Sequence, residues 1–532
     1  MRSVILNLTD YKGYEHKKEN DYDYLEIGSC DWDVFSITHP NLKGIVIEPI
    51  KLYLDNIPFN KNTIKINCAI SDKNEESFIY YIHPDDIDKH NIVNCFRGMN
   101  KLGEPHMGHI SNNLDNFLKK EKCKVLTYFS LLKILNVNYV DFLKIDTEGN
   151  DCKIINNILD SLESNSSWYV PPRFLLFENN NLTDIQIRSD TIKRLKEYGY
   201  VHIYTKDDNT LMYNCASYTS KLLVDNGIIL PKDKEIKSNL THYFQNVHPY
   251  IEYGQKNLFK KNEFELCSSP LDADVIWTTQ SIDDYHKYDK CKKIINIIHG
   301  GGYEAIEKLT NKIEDPKIVV KSINEYKNLN SKNIKTAFFI GKYECFSSYI
   351  ENIYNYRKNN SDKINEFLML NGFFNYNNNS IIESYEKIKK IYKIDMFGYD
   401  SPNGFANTIN STIESNVLSR YKFFLHLKGI GYLCNSVIFA CMCGIPIIMS
   451  RENYLKTLYY QFIPEDLIFI YENNDCNKTN PEEIIPAIEK ALNLNKKEYL
   501  DLSEKLYIHG NYFRKYYKNE TEHLIYFMNN LT

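Results

Sequence analysis

Short apolar runs alternate with polar or amphipathic stretches over the first 215 residues, and this rhythm predicts a largely parallel α/β sheet. The run at 140–145 is nearly continuous, which is typical of a strand buried on both faces. A turn sequence, Lys206-Asp-Asp-Asn209, separates the last two runs, so we expect them to form an antiparallel hairpin that closes the sheet. The predicted strands are residues 24–27, 44–47, 64–70, 140–145, 174–177, 201–204 and 211–213.

The second half of the chain repeats this alternation in two shorter series, which follow a polar stretch at 216–263. The predicted strands are 274–277, 293–298, 318–320 and 337–340, then 367–370, 394–397, 423–427, 445–449 and 467–470. An amphipathic segment at about 497–528 predicts a closing helix. The 532 residues are too many for one core. We therefore expect a domain at 1–220, a linker at 221–262, a first lobe at 263–355 and a second lobe at 356–532.

The stretch from 71 to 138 is too long for a simple connection between two strands. It contains a predicted strand at 78–82 and a loop at 96–109. A loop of this length inside a compact domain is usually functional or disordered. Two interpretations stay open, a lid over the substrate and a mobile surface excursion.

Composition narrows the function further. The net charge is −5 and no dense basic face is evident, so nucleic acid is not expected as a partner. The thirteen cysteines form no metal-type CxxC pairs and are expected to be reduced. No apolar run approaches the ~18 residues of a membrane span, and the start is too short for a signal-peptide core. The expected location is cytoplasmic, or a host cytoplasm if a large AT-rich DNA virus encodes the chain. No oligomeric state is predicted.

The first two predicted strands end in residues that suit a cofactor site. Glu26-Ile-Gly28-Ser-Cys30-Asp31 follows the first strand, and Glu48 ends the second about 20 residues after the glycine, where a carboxylate can bind ribose hydroxyls. A pyrophosphate site needs G-x-G-x-x-G, but only the first glycine is present. Acidic side chains at this turn, including Asp31, would repel pyrophosphate and suit the sulfonium and amino group of S-adenosylmethionine. A dehydrogenase that binds NAD is the weaker alternative.

A second acidic pair follows the strand at 140–145. Asp146 and Glu148 lie where that strand opens into a loop, the edge at which ligands bind in an α/β sheet. Asp146 is the candidate general base or metal ligand, with Glu148 supporting it. A divalent ion bound there could acidify a hydroxyl group. The alternatives are two solvated loop carboxylates, a turn role for Glu148, or His106 and His109 as the base.

These segments together carry a family resemblance. Tyr24-Leu-Glu-Ile-Gly28, Ile47-Glu-Pro49, Ala69-Ile-Ser-Asp72, Lys144-Ile-Asp-Thr-Glu-Gly149 and Leu176-Phe-Glu178 resemble, in order and spacing, the motif series of FkbM-type methyltransferases. The resemblance covers about 200 residues. A parallel sheet with a terminal hairpin is also the architecture of class I methyltransferases, so a Rossmann-like fold of that class is expected.

The resemblance implies an S-adenosylmethionine-dependent O-methyltransferase, often acting on sugar hydroxyls. It implies that Glu26 and Gly28 lie in the pocket on the methionine side of the cofactor and that Glu48 binds the ribose. It further implies that Asp72 lies near the adenine, while Asp146 and Glu148 face the acceptor.

The C-terminal half carries a second motif. A strand at 421–428 ends in Lys428 and is followed by Gly429-Ile-Gly431, then by a helix that begins near Asn435-Ser436. This order places a diphosphate on backbone amides at a helix N-terminus. It resembles the donor segment of two-lobed GT-B glycosyltransferases, which bind a nucleotide sugar. Lys428 and Arg420 could offset the charge of the leaving diphosphate.

Two features leave the function of the C-terminal half open. Phe439 stands where retaining enzymes of the GT-B architecture usually carry a glutamate. His299-Gly300-Gly-Gly could face the acceptor or the donor phosphate, or be a flexible turn. The sequence therefore predicts a bifunctional enzyme that methylates a sugar hydroxyl and transfers a sugar from a nucleotide donor. The alternatives for the C-terminal half are a plain βαβ unit and a non-catalytic carbohydrate-binding module.

Overall fold

The structure is a computed structural model, and the chain divides at residue 221 into two compact units that are described in turn. It describes residues 11–14, 18–31, 34–165, 170–206, 208–214, 217, 221, 240–244, 265–279, 293–297, 311, 316–320, 328–338, 347–361, 365–370, 379–397, 419–427, 435–456, 463, 465–472 and 480–511. The finer division into a linker and two lobes stays a prediction.

The N-terminal unit is built on a seven-stranded sheet with the order β10-β11-β9-β8-β1-β2-β3. Every neighbouring pair is parallel except the two that β11 makes with β9 and β10. The predicted parallel sheet with its terminal hairpin is therefore confirmed. The strands of this unit are β1 (Asp21–Ile27), β2 (Gly44–Ile47), β3 (Thr63–Ile66), β4 (Ala69–Ser71), β5 (Glu75–Ile82), β6 (Lys101–Leu102), β7 (Leu118–Thr127), β8 (Tyr139–Ile145), β9 (Phe174–Glu178), β10 (Val201–Lys206) and β11 (Asn209–Tyr213).

The centre of this sheet is buried on both faces. All residues of β1 and β8 are buried, and their apolar side chains divide between two separate apolar clusters. Leu25 and Leu143 pack on one face, whereas Tyr24 and Phe142 pack on the other. Two covered faces explain the near-continuous apolar run of β8, and they leave the strand ends as the place for charged groups.

Helices cover this sheet, and local sequence sets where several of them begin. Thr127 caps α5 by accepting from the Ser130 amide, and Asp184 caps α7 by accepting from the amides of Gln186 and Ile187. The helices are α1 (Phe35–Thr38), α2 (Lys51–Asn56), α3 (Pro84–Lys89), α4 (Met107–Ser111), α5 (Tyr128–Ile134), α6 (Asp151–Asn165) and α7 (Ile185–Glu197).

A second sheet of four strands, with the order β4-β7-β5-β6, differs from the sequence prediction. The run predicted as one strand at 64–70 is two strands in different sheets. Asn67 separates them, and its amide binds the carbonyls of Glu48 and Pro49. The ten-residue strand β7 was not predicted, because its exposed lysines obscure the apolar alternation. The predicted loop at 96–109 contains β6 and the start of α4.

The C-terminal unit contains two five-stranded parallel sheets, with the orders β12-β13-β14-β15-β16 and β18-β17-β19-β20-β21. They confirm the two predicted α/β series. The strands are β12 (His242–Phe244), β13 (Val275–Thr279), β14 (Lys293–Ile297), β15 (Lys317–Val320), β16 (Thr336–Phe338), β17 (Asn365–Leu370), β18 (Ile394–Phe397), β19 (Tyr421–His426), β20 (Ile447–Ser450) and β21 (Ile468–Tyr471).

One helix of this unit, α8 (Ser347–Asn359), spans the predicted boundary at 355/356, and the division into two lobes stays a prediction. This helix buries Ile350, Ile353, Tyr354 and Arg357 on one face. The predicted linker likewise contains the short strand β12. The helices are α8 (Ser347–Asn359), α9 (Asn379–Lys389), α10 (Asn435–Met442), α11 (Arg451–Lys456) and α12 (Pro481–Leu492), and residues 496–511 are also helical. Within the described ranges, no helix is long and apolar enough to cross a membrane.

Candidate active site

The carboxyl ends of β1, β2, β8 and β9 open onto a cavity of about 410 Å³. Its walls include Gly28, Glu48, Asp146, Glu148 and Glu178. The four strands are parallel neighbours in the sheet, so their ends meet at one edge, which is where ligands bind in folds of this kind. Four of the residues predicted from sequence therefore line one cavity.

Gly28 is required by the close approach of the β1 and β8 ends. Its φ is +78°, and a Cβ added there would lie 1.8 Å from the carbonyl oxygen of Asp146. The amide of Gly28 donates to the Ile47 carbonyl over 3.0 Å, and the amide of Asp146 donates to the Ile27 carbonyl over 3.0 Å. Glycine is therefore the residue that lets these strand ends close on each other.

Glu48 connects the end of β2 to the turn after β1. Its carboxylate is buried and accepts from the Cys30 and Ile50 amides, each over 2.8 Å. Burial raises the pKa of Glu48 to about 7, against these two hydrogen bonds, which favour the ionised form. The carboxylate is thus held rigidly in the cavity wall with lone pairs left for hydroxyl donors.

Asp146, Glu148 and Glu178 form an acidic cluster in the opposite wall. One carboxylate oxygen from each lies within 4.8 Å of the other two. Burial and, to a smaller extent, the negative charge of the nearby Asp146 raise the pKa of Glu148 to about 8. Burial and, to a smaller extent, the negative charge of Glu148 raise the pKa of Glu178 to about 9. The cluster therefore attracts protons or cations.

Asp151, the first residue of α6, fixes the loop that carries this cluster. Its buried carboxylate accepts from the Thr147 amide over 3.0 Å, the Thr147 hydroxyl over 2.5 Å and the Glu178 amide over 3.0 Å. It therefore joins the β8 loop to the end of β9. The sequence analysis predicted no site role for Asp151 or Glu178. Asp151 is the first residue of α6 and Glu178 is the last residue of β9, which are positions where an acidic side chain could have been considered.

The segment 94–111 forms another part of the wall, contributing Cys95, Gly98, Met99 and Asn100. The ring of His106, in the same segment, is 4% exposed and has Nε2 3.6 Å from Glu148 Oε2. Its Nδ1 accepts from the Gly108 amide over 3.0 Å, and burial lowers its pKa. The neutral ring therefore carries its proton on Nε2, which makes His106 a donor toward Glu148 and argues against it as the base.

The side chain of His109 is buried, and one of its ring nitrogens faces the backbone. Its Nε2 is 3.5 Å from the carbonyl oxygen of Phe96. His109 does not line the cavity, in contrast to its predicted alternative role as the base.

Three predicted cofactor residues do not line the cavity. Glu26 is fully buried behind it, where its carboxylate binds the Lys144 ammonium and the Phe35 amide at 2.9 and 2.8 Å. Asp31 forms an ion pair with Arg97, and Asp72 pairs with Lys153 at 3.0 Å. The cofactor-binding roles of Glu26, Asp31 and Asp72 stay predictions.

Only some of the residues predicted to bind the nucleotide sugar lie in the described part of the chain. Arg420 is exposed just before β19. Asn435 and Ser436 begin α10, but their side chains lie outside the described part of the chain. Phe439 is 5% exposed, so the position at which the resemblance to retaining GT-B enzymes implies a glutamate is packed in the interior. Lys428, Gly429, Gly431, His299 and Gly300 lie outside the described residues.

Described polar side chains at the strand ends of the second C-terminal sheet include a histidine and a serine, and Arg451, which follows β20, pairs with Glu472, which follows β21, at 2.7 Å. His426 ends β19 and is 4% exposed, with Nε2 3.4 Å from Asn453 Nδ2. Ser450 ends β20 and accepts from the Asn453 amide over 3.1 Å. No sequence signal pointed to this group, because each residue is unremarkable on its own.

Several solved structures are similar to about half of the chain. A sucrose-phosphate synthase from Thermosynechococcus elongatus is 11% identical, with a TM-score of 0.34. The alignment covers 52% of this chain and 76% of the synthase chain. A glycosyltransferase from Rickettsia africae is 12% identical and covers 54% and 99%, with a TM-score of 0.34. An α1,3-fucosyltransferase with GDP is 14% identical and covers 54% and 88%, with a TM-score of 0.31. At these scores the likeness carries no conclusion about activity.

No curated protein sequence matches the chain. Residues 25–200 match the family model described as the methyltransferase FkbM domain. The matched segment begins within β1, ends after α7 and contains all the residues of the acidic cavity wall. Residues 25–200 of this chain are therefore an FkbM methyltransferase domain.

Proposed function

We propose that the N-terminal unit transfers a methyl group from S-adenosylmethionine to a hydroxyl oxygen of a sugar, and that the C-terminal unit transfers a sugar from a nucleotide donor. The observation that carries the first half is the acidic cavity at the ends of four parallel strands within an FkbM domain. The cytoplasm as the place of both reactions belongs to the same proposal.

The residues of the cavity fit this cofactor. S-adenosylmethionine supplies an electrophilic methyl group on a sulfonium centre and carries no phosphate. Glu48 is placed to accept from ribose hydroxyls, and Gly28 lines the cavity at the neighbouring strand end. The acidic wall formed by Asp146, Glu148 and Glu178 would repel the pyrophosphate of NAD, which disfavours a dehydrogenase.

In the transfer, the acceptor oxygen forms a bond to the methyl carbon, and the carbon–sulfur bond breaks with its electron pair going to sulfur. The hydroxyl proton must leave, and Asp146 is our proposed acceptor for it, either directly or by holding a cation that acidifies the hydroxyl. Glu148 lies beside Asp146 in the same wall and supports either role. The remaining contribution of the protein is to hold the two reactants in line.

For the C-terminal unit, the sheet topology supports a ligand site at the ends of β17 and β19. The chain runs from β17 to β18 on one side and continues with β19 on the other, which creates a switch point in the strand order. We propose that a nucleoside diphosphate binds there, with the helix α10 directed at its phosphates. The residues proposed for it are Arg420, Lys428, Gly429, Gly431, Asn435 and Ser436, with His299 and Gly300 for the phosphate or the acceptor.

The methyl transfer is tested with labelled S-adenosylmethionine and a panel of free and nucleotide-linked sugars. We expect label in at least one sugar and calorimetric binding of S-adenosylhomocysteine. Absence of both would overturn the proposal for the N-terminal unit.

The glycosyl transfer is tested by calorimetric titration with UDP and GDP. We expect binding of one of them, a loss in Lys428→Ala, and no change in Lys490→Ala on the exposed face of α12. Glycan binding without nucleotide binding would contradict a transferase and favour a carbohydrate-binding module.

A further inference from the structure

Two short segments contact the loop that follows β8, at the edge of the sheet where the cavity opens. The ring of His106, which precedes α4, has Nε2 3.6 Å from Glu148 Oε2. In the connection from β9 to α7, the Thr183 hydroxyl donates to the Gly149 carbonyl over 3.2 Å. A Cβ added to Gly149 would lie 3.1 Å from the Cβ of Leu182 in the same connection. Both segments therefore meet the same turn of the β8 loop.

Both segments expose large apolar side chains. Met107 and Ile110 are spaced three apart on α4, which makes them neighbours on one face of that helix. Leu182, Ile185 and Ile187 lie around the start of α7. The exposed fraction of these side chains ranges from 40% to 74%. Single exposed apolar residues are ordinary, but groups of them beside a cavity mark a binding surface. We call these five side chains the apolar rim.

Polar contacts hold the connection that carries half of the apolar rim. Arg188 donates to the Asn179 carbonyl over 3.1 Å and to Asn181 Oδ1 over 3.2 Å. Asn180 Oδ1 accepts from the Leu182 amide over 2.9 Å. The backbone is thus fixed by its polar groups, while the apolar side chains are left facing solvent.

The apolar rim adjoins the cavity. Helix α4 packs on the cavity wall, because a Cβ added to Gly108 would lie 3.0 Å from the sulfur of Met99, which lines the cavity. The cavity volume of about 410 Å³ is near the lower end of the range for one ligand of drug size. S-adenosylmethionine would therefore fill most of it, and an acceptor would reach the methyl group from the open end.

We propose that the apolar rim binds an aliphatic chain of the acceptor, so that the sugar to be methylated is linked to a neutral alkyl group. The rim consists of branched aliphatic side chains and one methionine, whereas a nucleobase would stack on aromatic rings. Phosphate groups bind to cations, whereas the turn beside the rim carries the carboxyl group of Glu148. The rim therefore suits an alkyl glycoside better than a nucleotide-linked sugar. The methylation of that acceptor rests on the proposed methyl transfer, whereas binding of its chain does not.

Binding is tested by calorimetric titration of the full chain in the presence of S-adenosylhomocysteine. The probes are octyl and methyl glycosides of glucose, galactose and mannose, used below the concentrations at which they form micelles. For at least one sugar, the octyl glycoside should bind about tenfold more tightly, which corresponds to roughly 60 Å² of apolar surface removed from water. Equal affinities within every pair, or no binding of any glycoside, would overturn the inference.

Variants test whether the chain lies on the apolar rim. Ile185→Ser should weaken binding of the octyl glycoside by about threefold, and adding Met107→Ser should weaken it further. Ile134→Ser is the matched control, because Ile134 is 62% exposed and ends α5, close to the start of β8 at the opposite edge of the sheet. It should leave the affinity unchanged. Equal losses in the control and the rim variants, or no loss in either, would contradict the proposal.

Folding and self-association have separate readouts. The replaced side chains are exposed, so each variant should still bind S-adenosylhomocysteine, which shows that it is folded. A second copy of the chain is the alternative occupant of the rim, and analytical ultracentrifugation tests it. Ile185→Ser should leave the sedimentation coefficient unchanged. A dimer that this variant dissociates would assign the rim to self-association and overturn the inference.

Rates distinguish this inference from the proposed methyl transfer. For one sugar, kcat/KM for methyl transfer should be about tenfold higher with the octyl than with the methyl glycoside, chiefly through a lower KM. Equal values would overturn the inference and leave the methyl transfer intact. Absence of label in both, without binding of S-adenosylhomocysteine, would overturn the methyl transfer, and the calorimetric comparison would still decide whether the rim binds an alkyl chain.

Discussion

The two units of this chain use the same kind of parallel sheet but place different side chains at its carboxyl ends. In the N-terminal unit the strand ends carry Glu48, Asp146 and Glu178 around one cavity. In the described part of the second C-terminal sheet they carry His426 and Ser450, and the charged residues that directly follow β20 and β21, Arg451 and Glu472, form an ion pair at 2.7 Å. Sheet topology thus fixes where a ligand binds, while the charge at the strand ends selects which ligand. An acidic wall suits a sulfonium or a metal ion, and an edge whose acid is balanced by an arginine tolerates a diphosphate.

The difference extends to buried titratable groups. Burial raises the pKa of Glu48 to about 7 in the N-terminal unit. It lowers the pKa of His242 to about 4 and that of His509 to about 3 in the C-terminal unit. Asp466, whose pKa burial raises to about 6, is an acidic exception in the C-terminal unit. Buried acids favour folding at lower pH and buried histidines favour it at higher pH. In the N-terminal unit the acids Glu48, Glu148 and Glu178, whose pKa values are raised, outnumber His106 and His109, whose pKa values burial lowers, so the two units should respond to pH in opposite directions.

The largest effect is expected for Gly28→Ala, which should abolish cofactor binding in the acidic cavity. The new Cβ would lie 1.8 Å from the Asp146 carbonyl oxygen, so the β1 and β8 ends would have to separate. Calorimetry with S-adenosylhomocysteine should show a loss beyond a hundredfold, or about 3 kcal/mol. Gly103→Ala is the matched control, because Gly103 has φ +86° but nothing within 4 Å of its added Cβ. Similar losses in both variants would show that backbone strain, and not the close approach, decides the effect.

The next effect concerns the reaction itself. Asp146→Asn keeps nearly the same shape but loses the charge, so turnover should fall on the order of 10²–10⁴-fold. Cofactor binding should survive, because Glu48 and Gly28 are unchanged. Steady-state rates and calorimetry on the same preparation measure the two effects separately. Near-normal turnover would mean that Asp146 is only a structural residue of its loop and that the proton leaves by another route.

Glu48→Gln should weaken cofactor binding before it affects turnover. The variant removes a charge-assisted acceptor for a ribose hydroxyl, worth about 1.5–3 kcal/mol, or roughly 10–150-fold in affinity. Gln is preferred to Ala because the Glu48 side chain also accepts from the Cys30 and Ile50 amides. Ala would leave both amides without that acceptor. A rise in KM for the cofactor with kcat unchanged is the expected pattern. A fall in kcat alone would place Glu48 nearer the reaction than the ribose.

Sequence reasoning predicted the strand ends well and the supporting contacts poorly. Gly28, Glu48 and Asp146 could be found because each directly follows an apolar strand, and parallel strands bring their ends together. Asp151 could not, since its role depends on reaching the amide of Glu178, which is distant in sequence. The tautomer of His106 also depends on a local contact, the Gly108 amide, that residue patterns do not reveal. Strand β7 was missed because lysines on its exposed face resemble those of a loop.

The smallest effect is the opposite pH response of the two units. His242 is buried and accepts from Trp277 Nε1 over 3.4 Å, and burial lowers its pKa from 6.5 to about 4. Between these values the unfolded chain binds a proton that the folded chain does not, so stability is lost as pH falls. From pH 6.5 to 5 the loss should be about 2 kcal/mol. Glu48, with its pKa raised from 4.5 to about 7, should contribute a gain of similar size to the N-terminal unit over this range.

Hydrogen exchange measured by mass spectrometry separates the units, with peptides covering β13 reporting on one and those covering β8 on the other. After correction for intrinsic exchange rates, protection of β13 should fall and that of β8 should rise as pH drops from 6.5 to 5. His242→Gln cannot gain a proton, so it should reduce the pH dependence of β13 and leave that of β8 unchanged. If both peptides lost protection together in the wild type, buried carboxylates and histidines would not control the units separately, and the electrostatic contrast between them would be confined to their strand ends.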